Sequence, residues 1–567
     1  MTRINPITQQ AFAKNGQTNS FNPGTFMSLV SDIEANGIHQ EVITVSSIKK
    51  QVHMEIKSDK AKQRRAAYRP IALAVALLGL GLQAADALAT TYYINGSTGS
   101  DSNAGTSNGA PWKTLAKATQ TLRAGDTVLI HAGTYNEKLW PQWGGNATDG
   151  YITYAAYGDG NVIINPKNNV PAWTGAFYIP DSNSVGYVRD VNYIKLKGLD
   201  FTGTTSSYGA AIYAADGKNG SNVVFENLKL YGNQTGAMIE GAYFTMTDTV
   251  AYNNSFTGVQ FFKPAHHGRV SRSKFYNNTS PGCNCDGLII VDVDYLLVED
   301  SEAYGNYDGF DTGSQYNPPY PADAGSKHII FRRVISHDNV NTNFPLSTIL
   351  TGPVTYENIV TYNNYNWGSM VNYEKSKNVH IWNSVFDNVA TGILLTDSPG
   401  PMSYYNNIFN ASTAISNASG GIISADNNRL MQGVYSGVTP GPNSSTGTVN
   451  FVNAAGRDYH LTANNPALID KGAFFMRTSQ AGSGTTVINV NKDPTIFFWV
   501  GDTIQIEGVG TRVVKSMSGT SITVDAPMTY SAGAGVHLPW SGAAPDIGAF
   551  EYSAGGLTPP TNLRFTQ

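Results

Sequence analysis

From residue 191 to residue 410 the chain alternates short apolar runs with polar turns, and one pattern keeps returning. A few alternating apolar residues lead into an aromatic, one further residue and an asparagine. A short gap, a glycine and a second apolar run follow. The copies are Val224-Phe-Glu-Asn-Leu-Lys-Leu-Tyr-Gly-Asn233, Thr245-Met-Thr-Asp-Thr-Val-Ala-Tyr-Asn-Asn254 and Val270-Ser-Arg-Ser-Lys-Phe-Tyr-Asn-Asn278. They continue as Leu297-Val-Glu-Asp-Ser-Glu-Ala-Tyr-Gly-Asn306, Ile330-Phe-Arg-Arg-Val-Ile-Ser-His-Asp-Asn339, Thr355-Tyr-Glu-Asn-Ile-Val-Thr-Tyr-Asn-Asn364 and Ile381-Trp-Asn-Ser-Val-Phe-Asp-Asn388. A repeat of this length cannot bury its own apolar face and must stack on its neighbours. Short strands with turns between them and no helices argue against a doubly wound α/β sheet. The expected fold is a parallel β-helix whose coils rise about 4.8 Å each, with Asn233, Asn254, Asn278, Asn306, Asn339, Asn364 and Asn388 forming one hydrogen-bonded ladder at a turn.

The same reading divides the chain. Trp112-Lys-Thr-Leu-Ala-Lys-Ala-Thr-Gln-Thr-Leu-Arg123 predicts a short capping helix with Leu115, Ala118 and Leu122 on one face. The β-helix is expected over 90–474 and again over 541–554, with a small β module inserted at 475–540 and a linker-like tail at 555–567. Residues 61–89 combine a basic stretch, the apolar run Ile71–Leu82 and the small-residue end Ala87-Leu-Ala89. This predicts a signal peptide cut before Thr90, and hence a secreted or cell-surface protein; a membrane anchor is the alternative. Residues 1–60 stay unassigned, and a translation start at Met54 is the simplest account of them.

Composition adds limits. The chain has 567 residues, 58 Gly, 31 Tyr and a formal net charge of −4, which fits turn-rich β structure and gives no sign of a nucleic-acid surface. The two cysteines, Cys283 and Cys285, are expected as packed or free thiols, since a bridge would close a tight ring and a zinc site needs more ligands.

Chemistry is sought where a coil departs from the others. The residue before the recurring glycine is Thr235, Thr257, Trp367 and Thr391 in four coils, but Asp286 and Asp308 in two consecutive ones. In register these carboxylates stack and repel, unless a cation lies between them. Asp311 follows Asp308 by three residues and converges with it if Asp308 occupies a bend at Gly309. Three such groups make a Ca²⁺ site, calcium preferring hard oxygen ligands in loose geometry. Two Asp-Gly turns with no further role are the alternative. Asp292 and Lys263 each lie five residues after their coil's glycine and form a candidate ion pair.

At Cys285-Asp-Gly-Leu and Asn306-Tyr-Asp-Gly-Phe-Asp311 the sequence resembles the family-nine polysaccharide lyases, pectate lyases built as right-handed parallel β-helices. The opening Tyr92-Tyr-Ile-Asn-Gly-Ser-Thr-Gly-Ser-Asp101 and the closing Pro545-Asp-Ile-Gly-Ala-Phe-Glu-Tyr552 look like the ends of such secreted proteins. The resemblance implies calcium bound by Asp286, Asp308 and Asp311, with Tyr307 where the family has a further Asp. It implies β-elimination on an acidic polysaccharide, a lysine removing the C5 proton. The stretch corresponding to the family's lysine, Asn343-Phe-Pro-Leu-Ser-Thr-Ile-Leu-Thr-Gly352, has none, which leaves Lys263 and Lys375 as weak candidates from other coils. Two other readings stand beside this one. A polygalacturonase-like hydrolase would use the same aspartates, although its Gly-His-Gly is absent after Asp311 and His266-His267-Gly268 comes before them. A non-catalytic carbohydrate binder would use Tyr316, Tyr320, Trp367 and Tyr373. The expected state is a monomer.

Overall fold

The computed structural model describes residues 89–553, apart from 181–190, 215–220, 315–320, 322–323, 365 and 373–374. The chain divides into two units, Met1–Ala87 and Leu88–Gln567. The unassigned N-terminal stretch, the signal peptide up to Leu88, the tail at 555–567 and Tyr316, Tyr320 and Tyr373 lie outside the described residues.

The second unit is a parallel β-solenoid. Each coil contributes one strand to a 13-stranded sheet, from Thr91–Ile94 to Ile423–Asp426, and further strands to a 21-stranded sheet. Neighbours pair in parallel with unbroken register over most of the length, as in Lys229↔Val250, Val250↔Lys274 and Lys274↔Glu302. Inward positions fill a single core. Phe225, Phe261, Phe275, Phe310, Phe331, Phe344 and Tyr356 all lie within it, fully buried. The helix Leu115–Thr121, capped by Thr114, sets Leu115, Ala118 and Leu122 into the same core.

The repeating triplet has a conformational reading. Its aromatic ends a strand and faces outward, so Tyr231, Tyr252, Tyr276, Tyr304, His337 and Tyr362 stack at 4.4–5.2 Å. The middle residue is Gly232, Asn253, Asn277, Gly305, Asp338 or Asn363, and each has a φ between 51° and 65°. That left-handed turn admits Gly, Asn and Asp most readily. The asparagine then points inward, and from Asn233 to Asn339 each Nδ2 donates to the next Oδ1 at 2.9–3.2 Å. Buried amides satisfied in this way make the turn uniform from coil to coil.

The ladder ends sooner than the spacing suggests. Asn364 donates instead to the Asn341 carbonyl. Asn388 is exposed, has φ 52° and donates to Asn363 Oδ1, so it occupies the turn position and not the ladder position. Here the strand Val385–Leu395 runs straight on past the corner, with Val389 buried after a register shift. The cysteine expectation is also corrected. Cys283 and Cys285 are joined by a disulfide, their Cα atoms 5.3 Å apart, a separation that suits a bridge even across a single intervening residue.

Residues Met476–His537 form a six-stranded antiparallel sheet with a core of its own, including Phe475, Ile504, Val514, Ile522 and Val536. It packs on the outer face of the 13-stranded sheet, where Trp382 joins its core and the Thr355 hydroxyl donates to the Ile496 carbonyl. Arg332, 2% exposed, binds Glu357 and Asp502 and donates to the Phe497 carbonyl across this contact.

Candidate active site

The strands Asp286–Val291 and Asp308–Gly313 pair with Asp286 opposite Asp308 and Ile289 opposite Asp311. The glycines make the geometry possible. A Cβ on Gly287 would meet Asn306 Nδ2 at 2.9 Å and Ala303 Cβ at 3.1 Å, and one on Gly309 would meet Ser336 Oγ at 2.1 Å. Each glycine therefore faces the ladder side, and the aspartate before it is turned the other way. Stacked hydrogen bonds carry this position onward: Gly258 N–H donates to the Asp286 carbonyl and Gly309 N–H to the Thr342 carbonyl.

The column bearing the two aspartates reads Thr257, Asp286, Asp308, Thr342, all buried. Its next member is Gly368, because Ser369 N–H bonds the Thr391 carbonyl and Met370 pairs with Ile393. Trp367, which the sequence placed in this column, lies one position off and is 59% exposed. The two carboxylates thus stand between threonines, Thr257 on one side and Thr342 on the other. Asp308 Oδ1 accepts from Asn341 Nδ2 at 3.0 Å and from Thr342 N–H at 2.8 Å. Asp286 Oδ1 has no partner, and neither has the Thr257 or the Thr342 hydroxyl.

Electrostatics bring the three acids together. Desolvation pushes the Asp308 carboxyl up to about 6 against the Asn341 and Thr342 hydrogen bonds. Asp311 is half-buried, and desolvation followed by repulsion from Asp308 pushes it up to about 7. Asp286 is raised well above the carboxylate range by desolvation, then by Asp311 and Asp308. The charges that raise Asp286 and Asp311 are those of the other acids, while Asp308 is raised by burial alone. Buried carboxylates in this state either keep a proton or gain a cation.

Among the described residues no lysine is paired beside Asp311. Thr312 pairs with Leu346, so the residue next to Asp311 on the following coil is Pro345. Lys263 is exposed and follows Phe262, which pairs with Val291, so it aligns with Asp292 two coils before the Asp311 level. The Asp292 carboxylate accepts from Gly325 N–H at 2.8 Å. Lys375 is exposed at a turn, its N–H bonded to the Asp397 carbonyl. His266 and His267 sit in contact at a corner leading into the 13-stranded sheet, away from the acids.

Outward positions next to the acids form a second column that sequence spacing did not reveal. The pairs run Trp140 beside Tyr178 (from the Leu139↔Phe177 bridge), Tyr178↔Tyr213, Tyr213↔Met238, Met238↔Gln260, Gln260↔Ile289 and Ile289↔Asp311. Only stacking brings these residues into line, because the intervals between them range from 22 to 38 residues.

Comparison with known proteins gives a consistent frame. A family model described as "Right handed beta helix region" matches residues 185–317, and "Protein of unknown function (DUF1565)" matches residues 97–142. Lacto-N-biosidase of Bifidobacterium longum subsp. longum is 34% identical over 131 residues, 20% of this chain, which spans only 8% of that protein's length. Pectate lyase L of Dickeya chrysanthemi is 26% identical over 327 residues, 52% of this chain and 70% of that one. Among solved structures, pectate lyase Pel9A aligns with 82% of this chain and 98% of its own, at TM-score 0.45 and 17% identity. The solenoid described above is thus a right-handed parallel β-helix.

Proposed function

We propose that this protein is a carbohydrate-active β-helix that processes an acidic polysaccharide along the outward column ending at Asp311, by calcium-assisted β-elimination. One observation carries this reading. Two buried carboxylates stand in register where neighbouring coils have threonine, with Asp311 beside them and, among the described residues, no cation among the causes of their shifts. A uronic acid polymer is itself anionic and would be repelled from this face unless a cation intervened. The donor set fits a hard cation in charge and atom type: Asp286, with its unpartnered Oδ1, Asp308 and Asp311. Among the described residues no three His, Cys, Asp or Glu side chains converge closely enough to hold a metal alone. Water or substrate oxygens therefore complete the proposed shell. Bound there, calcium would neutralise a uronate carboxylate and acidify the adjacent carbon acid. Asp308 is itself held in orientation by Asn341 and Thr342. The pectate lyase L match is in keeping with this chemistry. Secretion, with Thr90 as the first residue of the mature chain, belongs to the same proposal.

A second reading has its own observation. Pro345 stands beside Asp311 where an eliminating enzyme of the resembled family would offer lysine. Asp311, half-buried and with its carboxyl near 7, suits general acid–base work in hydrolysis. One assay separates the readings: the mature protein is incubated with polygalacturonate and other uronans, with and without calcium. Calcium-dependent growth of ultraviolet absorbance from unsaturated uronate establishes elimination. New reducing ends without that absorbance establish hydrolysis, and neither product leaves a binder. If elimination is seen, Lys263→Ala and Lys375→Ala test the two remaining lysine candidates.

A further inference from the structure

The outward column does not end at the acids. Toward the N-terminal coils it becomes aromatic, with Trp140, Tyr178 and Tyr213 in successive coils. The Trp140 and Tyr178 rings lie 5.1 Å apart, and Tyr178 and Tyr213 are stacked at 5.7 Å with planes 10° apart. Polar groups hold the set in place. Trp140 Nε1 donates to the Gly175 carbonyl at 2.8 Å, Lys138 Nζ lies 4.2 Å from the Trp140 ring, and Tyr213 Oη donates to Glu240 at 3.2 Å.

A second aromatic pair flanks this floor. Trp173 and Tyr208 stack at 4.3 Å with planes 11° apart, and both are more than half exposed. They lie two residues before Gly175 and Ala210, which pair with each other, so the pair borders the same face on the side where Thr235 and the aspartate column begin. Both residues have φ near 60°. A bulky side chain pays for that conformation, and neither residue recovers the cost through burial. Exposed, stacked rings held in a strained backbone have the form of a ligand platform.

We infer that Trp140 and Tyr213, held by the buried Tyr178 packed between them, form with Trp173 and Tyr208 at the rim a distal subsite that stacks the pyranose rings of a polysaccharide whose chain runs along the solenoid axis to Asp311. Aromatic faces match the C–H faces of sugar rings, while Glu240 and Lys138 offer an acceptor and a donor to hydroxyl or carboxylate groups. Four coil steps separate Tyr213 from Asp311, about 19 Å at the strand spacing. A single sugar cannot span that distance, whereas an oligosaccharide can. The inference rests on the polysaccharide reading above, and it adds where the chain is gripped and in which direction it lies.

The test is calorimetric titration of the mature protein with size-fractionated di- and hexasaccharides from polygalacturonate, alginate and a neutral galactan. Trp173→Ala/Tyr208→Ala, Trp140→Ala and Asp311→Asn are compared with the parent protein, each checked for an unchanged melting transition. The subsite predicts that the rim double variant loses roughly tenfold in hexasaccharide affinity. Disaccharide binding changes little, and Trp173→Phe retains most of the hexasaccharide affinity. Asp311→Asn should lose turnover and weaken the acidic di- and hexasaccharides alike, in contrast to the length-dependent loss in the rim variant. Equal hexasaccharide affinity in parent and rim variant overturns the subsite, as does no binding of any panel member by the parent. Length-dependent binding without turnover of any substrate upholds the subsite and retires the enzymatic reading.

Discussion

Asp286, Asp308 and Asp311 pay for their position in water lost and repulsion gained. Each holds its proton more tightly when folded than when unfolded, so their contribution to stability is complete below about pH 4 and is lost as pH rises, through about 6 for Asp308 and about 7 for Asp311, with Asp286 acting in the same direction. Asp286→Asn should therefore melt about 2 °C above the parent at pH 8 and level with it at pH 4, a difference that scanning calorimetry resolves. A cation in the cluster displaces those protons. Calcium affinity is expected to rise by more than about tenfold per pH unit between pH 5 and 7, because Asp308 and Asp311 both give up a proton there. A flat affinity across that range would place calcium elsewhere. The acids were legible in the sequence because they break a repeat. The lack of a lysine at Pro345 was legible as well. Trp367 misled, because a Trp-Gly pair imitates the Thr-Gly pattern and only hydrogen-bonded register shows that Gly368, one position on, is the true member of the column.

At the scale of the coil, the asparagine ladder is the element that repeats. Asn306 accepts from the Asn278 N–H and Nδ2 and donates to the Phe275 carbonyl and Asn339 Oδ1, all in the interior. Asn306→Ala should cost about 2–4 kcal/mol in a denaturant titration, since several buried partners lose their bonds together. Asn388→Ala, on an exposed turn residue, should stay within about 0.5 kcal/mol. Equal losses in the two variants would contradict the assigned register. The sequence showed the aromatic, the turn residue and the asparagine as one motif, and the structure gives each a separate task. Asn388 was misplaced because an asparagine suits both the left-handed position and the ladder position, and composition does not distinguish them. The aromatic floor escaped notice for a different reason. Trp140, Tyr178 and Tyr213 share no local motif and meet only through stacking.

At the scale of the whole unit, one buried cation lies in the contact between the six-stranded module and the solenoid, beside the apolar contact around Trp382. Arg332 lies between Glu357 and Asp502, and burial raises the Glu357 carboxyl to about 7 despite that neighbour. Arg332→Ala strands the acid and should cost about 3–5 kcal/mol, whereas Arg332→Met with Glu357→Gln should restore much of that. Limited proteolysis reads the difference, the single variant being cut faster between residues 475 and 540. Equal protection in both would show that the apolar contact around Trp382 holds the module without the charges. The module occupies the 13-stranded sheet, so its loss should leave calcium affinity unchanged.

The column containing Asp286 and Asp308 has one more consequence. Because Thr257 and Thr342 hold equivalent places on adjoining coils, the acidic position is an address rather than a unique construction. Exchanging a threonine for an aspartate at Thr257 would extend the charge by one step, and returning Asp286 to threonine would move its edge by one. A solenoid of this kind can relocate its chemistry along its axis by point substitution, with no loop to rebuild, and the distance from that chemistry to the aromatic platform changes in whole coils.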